Sequence, residues 1–169
     1  MSSRLSVLLA LLAALSLPAG PASADSGLPV PRFVTLGSDE INVRTGPGSR
    51  YPVDWVFVRR NLPVEIVAEF DTWRRIRDVE GTEGWVHQAM LSGRRSLVVT
   101  GPDIRDLRAE PSPSAATVAR AEPGVVGRLL RCPAEGDAGA GWCYAEIGGY
   151  RGWIARSDIW GIYPGEVIE

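Results

Sequence analysis

The feature that most constrains this chain is an internal duplication. Asn42-Val43-Arg44 leads into a proline turn at Thr45-Gly46-Pro47-Gly48-Ser49. Sixty-four positions on, Asp106-Leu107-Arg108 leads into Ala109-Glu110-Pro111-Ser112-Pro113. Gly84-Trp85-Val86 returns 68 positions later as Gly152-Trp153-Ile154. Trp73 precedes Trp85 by 12 residues, and Trp142 precedes Trp153 by 11. Order and spacing recur with only small insertions, so two copies of one small unit fill most of the chain. They are expected at residues 31–98 and 99–163, with the boundary near Val99 to Pro102.

Each copy is a series of short strand signals. In the first, Phe33-Val34-Thr35-Leu36, Ile41-Asn42-Val43, Trp55-Val56-Phe57-Val58 and Val64 to Ala68 are β-rich runs. Trp73 to Arg77 and Gly84 to His87 follow, with turns at Asp71-Thr72 and Glu80-Gly81. In the second, Ile104 to Leu107, Thr117 to Ala119, Val125 to Leu130, Trp142 to Ile147 and Gly152 to Ile154 play these parts. Nineteen Gly and 13 Pro break the chain too often for long helices. Short β-branched or aromatic runs between turn residues predict a small barrel in each copy. Ser157-Asp158-Ile159-Trp160 is expected to form a 3₁₀ turn. A unit of about 65 residues buries only about 60% of its unfolded surface, so packing the pair together would stabilise both. The apolar tail Gly161 to Gly165 reads as a docked strap.

Ahead of the copies lies an address. Arg4 precedes an apolar run from Leu5 to Leu17; Pro18 and Gly20 break it, and Ala22-Ser23-Ala24 supplies small residues. This is a secretory signal peptide pattern over residues 1–24, with cleavage expected before Asp25. The run is shorter than the roughly 20 residues a membrane span needs. The mature chain is therefore expected in the periplasm or secreted, with no stable membrane insertion, where disulfides persist. All 18 basic residues are Arg, and they face 20 acids. A net charge of -2 argues against a nucleic-acid binder. One His and two Cys leave no conventional metal site.

The stretch from Asp39 to Val53 resembles the opening of a bacterial SH3-like (SH3b) domain, and Gly81 to His87 resembles its closing signature. Leu107 to Pro111 and Gly149 to Ile154 are similar to a degenerate second copy, without the Gly-Pro-Gly turn. The resemblance implies an all-β chain: two tandem small SH3-like β-barrels after a cleaved signal peptide. It also implies cell-wall peptides or envelope proteins as partners. Many such domains are appended to wall hydrolases, and two barrels leave no room here for one.

Two cysteines and the aromatics are the candidate functional residues. Cys132 and Cys143 fall on neighbouring strands joined by a Gly-rich turn, Gly136 to Gly141, and facing positions there are close enough to bridge. The expected disulfide is Cys132–Cys143; a reactive pair would more often use Cys-x-x-Cys spacing. Trp85 and Trp153 are expected in the cores. Trp73 and Trp142 occupy matching positions suited to packing. Tyr51 and Trp55 lie beside the Gly46-Pro47-Gly48 loop, where aromatics serve either packing or a peptide groove. The clusters Arg59-Arg60, Arg74-Arg75-Arg77 and Arg94-Arg95 read as a mixed surface paired to Asp71, Asp78, Glu80 and Glu83, or as forks for carboxylates or phosphates.

No catalytic motif is present: no Gly-x-Ser-x-Gly, no His-Glu-x-x-His and no Walker loop. The expectation is a non-catalytic binding protein that needs no cofactor and contacts peptidoglycan peptides or an envelope protein. Asn42, Arg44, Tyr51, Trp55 and Trp73 are its expected contact residues. The alternative is a scaffold or assembly factor whose groove holds its own tail or a partner subunit.

Overall fold

Strands this short are stable only when their ladders close on one another and bury one face. The computed structural model describes residues 26–169, and it is a strand-rich chain throughout. The expected signal peptide lies outside the described residues. The first sheet holds β1 (Arg32–Leu36), β2 (Ile41–Arg44), β3 (Val53–Phe57), β4 (Pro63–Phe70), β5 (Trp73–Arg77), β6 (Glu83–His87) and β7 (Leu91–Ser92). The second holds β8 (Ser96–Val99), β9 (Arg105–Arg108), β10 (Thr117–Ala121), β11 (Val126–Arg131), β12 (Trp142–Ile147), β13 (Tyr150–Ala155) and β14 (Ile159–Trp160). Spatial order is β3-β2-β6-β5-β4-β1-β7 in one and β10-β9-β13-β12-β11-β8-β14 in the other. These are the same order with every label raised by seven, so the fold is all-β and duplicated strand for strand.

The chain passes from one sheet to the other between Ser92 and Ser96, so the expected 98/99 boundary falls inside β8. The 3₁₀ turn covers Arg156–Asp158, and Ile159-Trp160 instead pairs with β8 as β14.

Each barrel has its own core. Val34, Leu36, Ile41, Val43, Val64, Ile66, Ile76 and Val86 fill the first. Leu97, Val99, Leu107, Leu129, Ala145, Ile154 and the two cysteines are among those filling the second. The Gly-Trp-aliphatic motif works differently from the expectation. In β6, Gly84 and Val86 are buried while Trp85 is half-buried; in β13, Gly152 and Ile154 are buried while Trp153 is half-buried. Alternation sends glycine and aliphatic inward and tryptophan to the other face. Glycine is needed because β6 crosses β2 closely: a Cβ on Gly84 would collide with Val43. One on Gly152 would lie 2.7 Å from the Arg108 carbonyl oxygen. All six tryptophans are half-buried.

Alternation fails in β1 and β8, which are buried on both faces. Val34 and Leu36 face one core, and Leu97 and Val99 face the other. The opposite faces form the junction between barrels. Thr35 Oγ1 lies 2.7 Å from Ser96 Oγ, and the Phe33 ring meets Trp160 edge-on at 4.8 Å. The tail completes this junction as a strap. Tyr163 rests on Phe33 and donates its hydroxyl to Glu65 at 2.6 Å. Arg95 pairs with Glu166, and Ile168 forms two backbone hydrogen bonds with Cys132. The strap runs across the junction and not against Tyr51 and Trp55, where the self-binding alternative would place it.

Candidate functional site

A groove of about 580 Å³ opens beside the Gly-Pro-Gly loop of the first barrel. Loop residues Pro47 to Arg50 form one side; Phe70 to Trp73 and His87 form the other. Local chemistry builds both sides. β4 and β5 join through a two-residue turn, Asp71-Thr72, with Asp71 at φ 51°. Asp tolerates that left-handed backbone better than most residues. The tight turn sets Phe70 opposite Trp73, and Trp73 is opposite His87 on β6. The Trp73 and His87 rings meet edge-on at 5.5 Å.

Beneath this hairpin lies buried Arg74. Its Nη1 donates to the Asp71 and Trp73 carbonyls at 2.7 and 2.9 Å, and its Nη2 donates to Gln88 Oε1 at 2.7 Å. Its Nε lies 3.1 Å from Glu69. A buried guanidinium with this many acceptors is satisfied and acts as a brace for the turn. Glu69 also ties down the segment before β1, accepting from the Ser26 amide and from Arg32. Burial pushes the Glu69 carboxyl up, but the Ser26 and Arg32 hydrogen bonds outweigh it and bring it to about 2. His87 Nδ1 accepts from the Ala89 amide at 3.2 Å, so neutral His87 carries its proton on Nε2.

The five expected contact residues do not form one constellation. Trp73 lines the groove. Tyr51 packs against the loop: a Cβ on Gly46 would lie 2.5 Å from its ring, and Arg50 sits 5.2 Å over that ring. Arg44 donates to the loop's own carbonyls, Tyr51 O at 2.7 Å and Ser49 O at 3.2 Å. Arg108 does the same in the second barrel, to Ala115 O at 2.7 Å. Trp55 packs on the first core beside Phe57. Asn42 is exposed on β2, opposite Val56. Arg50, Phe70 and His87 line the groove without being among the expected contacts. Phe70 and Trp73 flank the turn that sequence did mark, and such flanking residues pair across a two-residue hairpin.

Most of the clustered arginines are neutralised. Arg75 and Arg77 pair with Glu83, and Arg77 also reaches Glu65. Among the described residues, only Glu83 of the expected acids serves; the Asp78 carboxylate instead caps the amides of Glu80 and Thr82. The cysteines form the disulfide Cys132–Cys143, with Cα atoms 4.3 Å apart. No group of three or more metal-ligating side chains occurs among the described residues, and none of their helices is long and apolar enough to cross a membrane.

The family described as Bacterial SH3 domain matches residues 37–93 and again 102–161, one match on each barrel. The chain belongs to the bacterial SH3 domain family. A curated relative, "Putative N-acetylmuramoyl-L-alanine amidase YrvJ" of Bacillus subtilis (strain 168), is 27% identical over 135 residues. That alignment covers 73% of this chain but 24% of the relative, so the chain spans about a quarter of its length. Among solved structures, NlpC2 and NlpC1 from Trichomonas vaginalis are 12% and 14% identical, each with a TM-score of 0.34. They cover 77% and 81% of this chain, which covers 48% of each of theirs.

The second SH3 domain is built differently at the matching place. Cys132 to Gly141 replaces the two-residue turn, and Ala155 stands opposite Trp142 where His87 stands opposite Trp73. Gly139 packs onto Pro111: a Cβ there would lie 2.8 Å from the proline Cβ. The long loop thus closes on the loop that corresponds to Gly46-Pro47-Gly48.

Proposed function

We propose that this protein is an exported, non-catalytic envelope protein that binds peptidoglycan peptides through the groove of its first SH3 domain. The observation that carries this reading is the open groove of the first domain, at a place where the second domain instead packs its long loop onto Pro111. Its parts suit a short peptide. Trp73 and Phe70 offer flat apolar contact, the His87 Nε2–H offers a donor for a peptide carbonyl, and Arg50 offers a fork for a carboxylate. Arg74 holds the hairpin rigid beforehand, which lowers the entropic cost of binding. Membership of a wall-binding family and likeness to a relative named "Putative N-acetylmuramoyl-L-alanine amidase YrvJ" support the partner class.

Sedimentation with purified sacculi tests it, using residues 25–169 and the variants Trp73→Ala, Arg50→Gln and His87→Ala checked for folding by circular dichroism. The wild type should sediment, Trp73→Ala should lose at least about tenfold in affinity, and the others less. Wild-type protein left in the supernatant would overturn the reading and favour an envelope protein as partner.

A further inference from the structure

The junction between the barrels contains two clefts that correspond through the duplication. One, about 310 Å³, sets Val98 and Gly124 against Pro63 and Val64. The other, about 330 Å³, sets Thr35 and Asn61 against Val126 and Gly127. Every residue of one set lies 63 positions from its counterpart in the other. The barrels therefore exchange roles across the junction, as an approximate two-fold relation requires.

Their charges do not correspond. The first cleft carries Asp78, Glu80 and Arg59, and Arg59 Nη1 donates to the Gly124 carbonyl at 3.1 Å. The second carries Arg60, Arg94, Arg95 and Arg128 with one acid, Glu146. Glu146 accepts from Arg151 Nε at 2.7 Å. Arg95 is committed to Glu166 and to the Gly161 carbonyl, and its buried Nε has no hydrogen-bond partner among the described residues. The side chains of Arg94 and Arg128 make no hydrogen bond or ion pair among the described residues. Arg60 reaches Asp39 only at 4.0 Å, with both side chains mostly exposed.

The Arg74-Arg75-Arg77 cluster is matched by carboxylates, whereas in this cleft Arg94 and Arg128 have none among the described residues and Arg60 has only a distant, exposed one. Cations gathered at one cleft in excess of its carboxylates attract an anion, and the guanidinium fork matches the two oxygens of a carboxylate or phosphate. The residues come from three places: the β3–β4 turn, the linker between the barrels, and β11. The linker is held still, since Thr35 Oγ1 donates to the Arg94 carbonyl at 2.6 Å. We propose that Arg60, Arg94 and Arg128 form a binding site for an oxyanion group, a carboxylate or a phosphate, that clamps the two SH3 domains together. This site is separate from the groove, and it stands or falls without it.

The test is a ¹⁵N–¹H correlation titration of residues 25–169 with sodium phosphate, and separately with sodium acetate, at ionic strength held constant with sodium chloride. Saturable shifts are expected at Arg60-Asn61, Arg94 to Ser96 and Gly127-Arg128; the anion that saturates lower names the source chemistry. Arg94→Gln and Arg128→Gln should each weaken the site at least about fivefold, since both residues are exposed and their loss leaves the cores intact. Arg59→Gln, in the acidic counterpart cleft, should leave affinity unchanged. Shifts that fail to saturate with either anion, or that survive in the Arg94→Gln/Arg128→Gln double variant, would overturn the proposal.

Discussion

The two SH3 domains reach the same strand order by different means at the mouth of the barrel. In the first, two turn residues suffice, and Arg74 braces them from below against Glu69 and Gln88. The mouth stays open beside Gly46-Pro47-Gly48. In the second, the connection runs from Cys132 to Gly141, and no tight hairpin holds it. A disulfide and the tail do so instead: Cys132 is bonded to Cys143 and paired with Ile168. That loop then lies on Pro111. One duplication has thus kept a groove in one copy and spent the matching surface on stability in the other. A short turn with an internal brace leaves a surface free, whereas a long loop must be covered by something.

The sharpest way to break this comparison is to reduce the disulfide. The enclosed segment is short, and chain-entropy arguments give roughly 3 kcal/mol for closing it. Denaturant unfolding with and without reductant should show that loss in the second domain, together with release of the tail from Cys132. The second domain unchanged on reduction would show that its loop needs no clamp.

Next comes the shared glycine. Gly84→Ala and Gly152→Ala should each cost about 1–3 kcal/mol by overpacking the β2–β6 and β9–β13 crossings. Gly152 should be the worse, because its neighbour is backbone, the Arg108 carbonyl, and cannot rotate away. Equal thermal shifts in the two variants would contradict that.

The acid response should separate the domains as well. The Glu69 carboxyl titrates at about 2 in the folded chain against an ordinary 4.5. A lowered value contributes stability above the ordinary value that is lost as pH falls from about 4.5 towards 2. Allowing for solvent screening, about 1–2 kcal/mol is at stake. Glu69→Gln should remove it at neutral pH and flatten the acid limb of the first domain alone, as read by urea midpoints across pH 2–7.

The smallest effect concerns the loop. Gly46 and Tyr51 have the counterparts Glu110 and Ala115, 64 positions on, so the ring and the bare backbone beneath it are absent together. Gly46→Ala should cost about 1 kcal/mol on its own. Combined with Tyr51→Ala it should cost less than the two single changes added, and strict additivity would show that the two residues do not touch.

Much of the fold was legible in the sequence. The duplication, most strands, the Asp71-Thr72 turn and the Cys132–Cys143 bridge follow from period, turn chemistry and spacing over a few residues. The errors have one physical origin. Trp85 and Trp153 look like core residues because they are large and apolar, yet the inward positions belong to Gly84 and Gly152. A glycine carries no hydrophobic signal, and only the close crossing of two strands reveals that its lack of a side chain is what the core requires. Arg44 raises a related point: its guanidinium suits a foreign carbonyl as well as those of its own loop, and sequence does not say which is nearer.

The sequence by itself determined that the chain is two copies of one strand-rich unit, where each turns, and which cysteines meet: the copying shows as a repeat at offsets of 64 and 68, and the turns and the bridge depend on neighbours within about a dozen positions. Only the tertiary structure decided that the first mouth is open and the second closed, that the tail straps the junction, and that Arg60, Arg94 and Arg128 share one cleft. The mouths depend on how strands fold back within each barrel, and the strap and the cleft on the packing of β1 against β8; no local pattern encodes either.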